Sequence, residues 1–219
     1  MSIVTPDGGL TGLGYVLCGI LAAALMIASA ILYRKNSSQK KMSTKQLVFC
    51  AAAMALSFIT SYIKLVSMPY GGSITLFSML FICLIGYWYG PGVGIMTGLA
   101  YGILQFLQEP FVLSLFQVCC DYVLAFAGLG LAGLFHKSKN GLVKGYIFGI
   151  LIRGAFHALG GYLYWMDYMP ENFPQALTAV YPLVYNYSYI LAEGILTVVV
   201  ISLPPVAKAL AQVKKSALE

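Results

Sequence analysis

Arg153-Gly154-Ala155-Phe156-His157-Ala158-Leu159-Gly160-Gly161-Tyr162-Leu163-Tyr164-Trp165 is the stretch on which the reading of this chain turns. It lies inside a hydrophobic run long enough to cross a bilayer, yet it carries an arginine, a histidine and a tryptophan. In a helix, Arg153, His157, Gly161 and Trp165 follow one i, i+4 row that drifts slowly around the axis. An ionisable side chain at membrane depth is costly and marks a functional site by default. The same arginine would also serve a structural purpose, pairing with a carboxylate to hold two helices together. The stretch alone leaves both readings open.

Working outward, the composition sets the class. The chain has 219 residues, of which 60% are hydrophobic and 9% charged; a soluble domain of this size would be roughly a quarter charged. Long uncharged runs and no alternating barrel pattern make it an all-α polytopic membrane protein. No segment has room for a soluble ATPase, and no Walker-type phosphate loop occurs. Active transport would draw its energy from an ion gradient or a partner. The five cysteines (Cys18, Cys50, Cys83, Cys119 and Cys120) lie in apolar runs without zinc or disulfide spacing and read as small buried hydrophobes. No serine nucleophile stands near a histidine and an acid, which argues against an enzyme. Neither a cofactor nor a metal is expected.

Seven spans are expected: 10–33, 46–66, 74–90, 93–108, 113–135, 145–165 and 182–203. Pro204-Pro205 ends the last, and a short basic tail closes the chain. Of the 13 Lys and Arg residues, 11 fall in the 34–45 linker, the 136–144 loop and the tail. With seven spans these three segments share one side, which the positive-inside rule makes cytoplasmic. The N-terminus is then outside and the C-terminus cytoplasmic. The net charge of +6 is thereby a topology signal, with little left for nucleic acid to explain. The chain divides into 1–45, an extra transmembrane helix with its basic linker, and 46–219, a six-helix membrane domain. Gly94 with Gly98, and Ala51 with Ala55, are small-xxx-small pairs of the kind that let helices approach closely.

Several polar residues sit deeper than an interfacial aromatic belt explains. Asp121 lies about two turns into the fifth span, and Tyr122 follows it. Asn186 and Tyr181 open the seventh span, and Glu193 lies deeper on the face of Asn186. With Arg153 and His157 these residues form either an internal polar network or a pocket. A pocket so built suits a small, flat, partly cationic molecule: aromatic faces hold the cation, and a carboxylate and an amide read ring heteroatoms.

Residues 46 to 204 resemble the substrate-binding S component of energy-coupling-factor (ECF) transporters, most closely the thiamine-specific type. The resemblance is carried by Met68-Pro69-Tyr70-Gly71-Gly72-Ser73-Ile74-Thr75-Leu76, by Leu115 to Phe126 with Gly130 to Phe135, by Arg153 to Trp165, and by Tyr181-Pro182-Leu183-Val184-Tyr185-Asn186. It implies a six-helix bundle, here preceded by one extra helix, with a thiamine pocket near the outer surface. Asp121 would pair with the aminopyrimidine, assisted by Tyr122, and Asn186 would read the same ring. Trp165 and His157 would flank the thiazolium, Tyr181 would also bind, and the backbone would come close at Gly161. Arg153 and Tyr101 stand where the family's thiamine binder has lysine and tryptophan. Phe111 replaces a tyrosine, and a tryptophan near Gly72 is absent. The implied partners are a transmembrane coupling protein, met through Ala51 and Ala55, and two cytosolic ATPases. An S component for another small heterocycle is the alternative within transport; a structural or sensory membrane protein is the alternative outside it.

Overall fold

The computed structural model describes residues 42–219 and, before them, Thr11, Gly12, Leu13, Val16 and Ile20. Apart from those five positions, the expected first span lies outside the described residues, as does the basic linker as far as Lys41.

Helix α1, Thr44–Ser61, opens with a capping box: the Ser43 hydroxyl accepts from Gln46 N at 3.1 Å, and Gln46 Oε1 accepts from Ser43 N at 3.0 Å. It buries Cys50, Ala53, Ser57 and Ser61, a row at helical spacing, and turns Ala51 and Ala55 outward. The expected continuation to residue 66 is corrected here. The chain leaves the helix at Tyr62 and forms a hairpin of β1, Lys64–Ser67, antiparallel to β2, Ser73–Thr75. All four residues of β1 are exposed, so the segment has no helical face to bury. Gly71 and Gly72, at φ +88° and +83°, make the turn that brings the strands together, a conformation open to glycine at little steric cost.

Helix α2, Ser78–Tyr89, therefore begins four residues later than expected. It is followed directly by α3, Pro91–Gln108, with Pro91 in the first turn, where its missing N–H costs nothing. Helix α4, Leu115–Phe135, is not uniform. Its residues 119–124 form a π-helical segment, 125–129 return to α, and 130–135 tighten to 3₁₀. Helix α5 is Gly141–Tyr164, starting four residues before the expected 145, and α6 is Tyr181–Ser202. Two short 3₁₀ turns, Met166–Tyr168 and Gln175–Val180, lie in the connection between them. The expected basic tail is instead a helix, α7, Pro204–Leu218. The prolines that stop α6 also start α7, since proline suits a helix's first turn as well as its end. Lys214 Nζ sits 4.0 Å over the Tyr87 ring, and Tyr89 Oη donates to Ala217 O at 3.0 Å, docking α7 on α2.

Among the described residues, four helical stretches, 44–61, 115–135, 141–164 and 175–202, are long and apolar enough to cross a membrane, and α2 is an apolar but shorter helix. Glycines set how closely the helices lie. A Cβ on Gly94 would fall 2.6 Å from both Gly130 O and Gly86 Cα, and one on Gly98 would fall 3.0 Å from Ala127 Cα. The Gly94–Gly98 pair is thus spent on packing α3 against α4.

Candidate functional site

A cavity of about 640 Å³ lies among the hairpin and the ends of α3, α4, α5 and α6 that face it. Arg153, His157, Gly161 and Trp165 all line it, so the i, i+4 row of α5 becomes one wall. Asp121, Tyr122, Tyr181 and Asn186 line it too. Eight of the nine residues singled out for substrate binding are therefore brought together.

The ninth, Tyr101, does not line the cavity. It is 1% exposed, its hydroxyl donates to Ser57 O at 3.1 Å, and its ring meets Phe126 edge-on at 5.1 Å. Phe126, which does line the cavity, stands between. Tyr101 thus backs a wall residue, because α3 presses so closely on α4 that its side chain has only the core to enter.

The Asp121 carboxylate sits on the π-helical segment, a distortion that re-aims side chains and is frequent at functional sites. Oδ2 accepts from Gln117 Nε2 at 2.8 Å, and Oδ1 lies 3.1 Å from His157 Nδ1. On the far side of the ring, Arg153 Nε donates to His157 Nε2 at 3.3 Å. A guanidinium has donors only, so Nε2 must present its lone pair and the proton sits on Nδ1, directed at Asp121. His157 is neutral in this arrangement. In place of the direct pairing of Arg153 with a carboxylate, a relay runs from Asp121 to Arg153 with the histidine between, and among the described residues no ion pair joins the two. The Arg153 guanidinium also stacks 4.4 Å from the Phe126 ring centroid. Helix α5 lies so near that a Cβ on Gly160 would fall 2.9 Å from Asp121 Oδ1, whereas one on Gly161 would press on Pro182 Cβ at 2.8 Å. The close approach of α5 to the acid is thus at Gly160, while Gly161 beside it lines the cavity.

The aromatic wall is built by a chain of contacts. Tyr122 Oη donates to Glu109 O at 2.7 Å and accepts from Phe111 N at 3.1 Å, pinning the α3–α4 loop. Phe111 is thereby laid on Trp165, with centroids 4.8 Å apart and planes 32° apart, and Tyr168 flanks the indole at 5.0 Å. Asn186 Nδ2 donates to Pro182 O at 2.9 Å, and its Oδ1 accepts from Tyr189 Oη at 2.9 Å. On the opposite side, Tyr185 Oη accepts from Tyr70 N at 2.9 Å and donates to Gly71 O at 3.0 Å, holding the hairpin tip over the cavity.

Gln117 was not anticipated, although its i, i+4 spacing to Asp121 was available in the sequence. Glu193 was noted for its depth only. It is 2% exposed and lines the cavity; Oε2 accepts from Thr75 N at 2.8 Å and Thr75 Oγ1 at 2.6 Å, and Oε1 from Met79 N at 3.3 Å.

A family model described as thiamine transporter protein matches residues 47–212. The chain belongs to the thiamine transporter family. The thiamine transporter ThiT of Bacillus subtilis (strain 168) is 30% identical over 175 residues, covering 71% of this chain and 85% of the relative. ThiT of Lacticaseibacillus paracasei is 28% identical over 173 residues, covering 70% and 81%. A solved structure of ThiT from Listeria monocytogenes matches with a TM-score of 0.57 at 22% identity, covering 73% of this chain and 94% of that one, and shows a shared fold. Membership makes this thiamine transporter family chain a multi-pass membrane protein of transport, not an enzyme.

Proposed function

We propose that this chain is the substrate-capture S component of an ECF-type importer and binds thiamine in the cavity between the hairpin and α4, α5 and α6. The observation that carries the reading is the convergence of an acid, an amide and a stacked tryptophan on one cavity in a chain of this family. Asp121, held by Gln117 and His157, accepts from the aminopyrimidine amine, with Tyr122 and Asn186 bordering that ring. Trp165 and the neutral His157 flank the thiazolium, where ring faces favour positive charge. Tyr181 and Gly161 close the α5–α6 side, and Arg153 braces His157. Tyr101 acts from behind Phe126.

In this reading the cavity faces outward and the basic 136–144 loop and α7 face the cytoplasm, with the N-terminus outside. Capture outside is followed by release inside as the protein reorients within a complex of a transmembrane coupling protein and two cytosolic ATPases. The exposed positions of Ala51 and Ala55 support α1 as the docking face, since small residues admit a close backbone.

Purified protein should release thiamine on denaturation, identified by its mass. A different heterocycle in its place would keep the transport class and replace the substrate; no ligand, with no thiamine binding on titration, would reject the reading. For the docking face, Ala51→Trp should leave thiamine binding unchanged and abolish uptake by the reconstituted complex. Uptake at the wild-type rate would return this face to lipid.

A further inference from the structure

Glu193 has no part in the reading of the thiamine rings given above, yet it is a carboxylate in the cavity wall at membrane depth. Two backbone N–H groups donate to its carboxyl, and the Thr75 hydroxyl lies 2.6 Å from Oε2. It also stands at the N-terminus of α2, which starts after Phe77 at φ +61° and has no side-chain cap of its own. A carboxylate there is favoured by the free N–H groups and by the helix dipole.

The ionisable Lys, Arg, His, Asp and Glu side chains lining the cavity are few. Lys64 and Glu109 form an ion pair at its edge and cancel. His157 is neutral through its contact with Arg153. Arg153 shares the cavity wall with two carboxyl groups, Asp121 and Glu193; with both ionised, one negative charge is left over. A fixed charge imbalance inside a low-dielectric wall acts on any ligand that enters.

We infer that Glu193 is ionised and acts as a specificity residue: without touching Arg153 it offsets that charge across the cavity wall, leaves one negative charge over, and so tunes the cavity to a ligand carrying a single positive charge. This rests on the thiamine reading, in which the thiazolium supplies that charge. Glu193 does not contact the ring; it sets the balance that makes a cationic ring preferable to a neutral one of the same shape.

The test is a calorimetric titration of the purified protein with thiamine and with its uncharged thiophene isostere. The wild type should bind thiamine more tightly by roughly tenfold or more, the scale of one charge acting across a partly shielded cavity. Glu193→Gln keeps the size of the side chain and removes the charge; it should cut that preference by about tenfold while affinity for the isostere is retained. Arg153→Gln, titrated at about pH 8 so that the imidazole of His157 stays neutral without its arginine, leaves two carboxylates uncompensated; it should raise the preference by a similar factor, and it carries the test if Glu193→Gln does not fold. A wild type indifferent to ring charge overturns the inference. So does a Glu193→Gln variant that loses affinity for both compounds equally, which would reduce Glu193 to holding β2 on α6, or an Arg153→Gln variant with an unaltered preference. A wild type that binds neither compound would overturn the thiamine reading and this inference together; any of the other failures, with thiamine still bound, overturns the inference alone.

Discussion

The two carboxylates of the cavity are held in opposite ways. Asp121 rests on the π-helical segment of α4 between two side chains, Gln117 and His157, and is 14% exposed. Glu193 is fixed on α6 largely by the backbone of another part of the fold, through Thr75 N and Met79 N, and is 2% exposed. Side-chain partners can exchange a contact for a ligand with little cost to the fold. Backbone partners cannot, because releasing them strands N–H groups and loosens the joint between the hairpin, α2 and α6. On the thiamine reading, the Asp121 side of the cavity meets the ligand, and the deeper joint of Glu193 with the hairpin and α2 keeps the cavity's shape.

The sharpest way to break this contrast is Asp121→Asn. It removes a charge-assisted hydrogen bond to the ligand, worth about 1.5–3 kcal/mol, so thiamine affinity should fall by roughly one to two orders of magnitude. The melting temperature of the ligand-free protein should hardly move, since the amide oxygen still accepts from His157 or Gln117. Paired melting curves with and without thiamine decide: a drop in both with the ligand-induced shift preserved would make Asp121 a structural residue.

A smaller effect is expected at Trp165→Ala. Stacking and cation–π contact are worth of order 1–2 kcal/mol when desolvated, which is about a tenfold weakening. Titration of the folded variant measures it, and an unchanged affinity would assign the Phe111–Trp165–Tyr168 stack to the membrane interface alone.

The smallest effect on binding belongs to the other wall. Thr75→Val deletes the hydroxyl on Glu193 and should cost about 1–2 kcal/mol of stability, with affinity held within about threefold. A melting curve and a titration read the two quantities separately. Affinity falling as far as in Asp121→Asn would show that the Glu193 joint touches the ligand as well and would erase the distinction.

Local periodicity made much of the α5 side legible. Arg153, His157, Gly161 and Trp165 share a face because 3.6 residues make a turn, and that rule needs no knowledge of neighbours. Depth made Asp121, Asn186 and Glu193 conspicuous, because charge and amide are costly in hydrocarbon wherever they sit. The hairpin was hidden inside apolar runs, since Lys64 to Ser67 has the composition of a helix end and differs from one only through pairing with β2. The π segment left no mark either: it shifts hydrogen bonds by one residue without asking for a different amino acid.

Taken alone, the amino-acid sequence determined the membrane class, the positions of most helices to within a few residues, the inward row of α5 and the resemblance to a transport family. All of these follow from short-range spacing and from the cost of placing polar groups in lipid. Partner choice was decided by the tertiary structure. Only the packing of α4 against α5 placed His157 between Asp121 and Arg153 and made Gly160 the close approach to the acid, and only that of α3 against α4 put Tyr101 behind Phe126. Only the fold brought Thr75 to Glu193 across 118 residues of chain. Such contacts join residues whose spacing along the chain carries no period, so no local rule could have paired them.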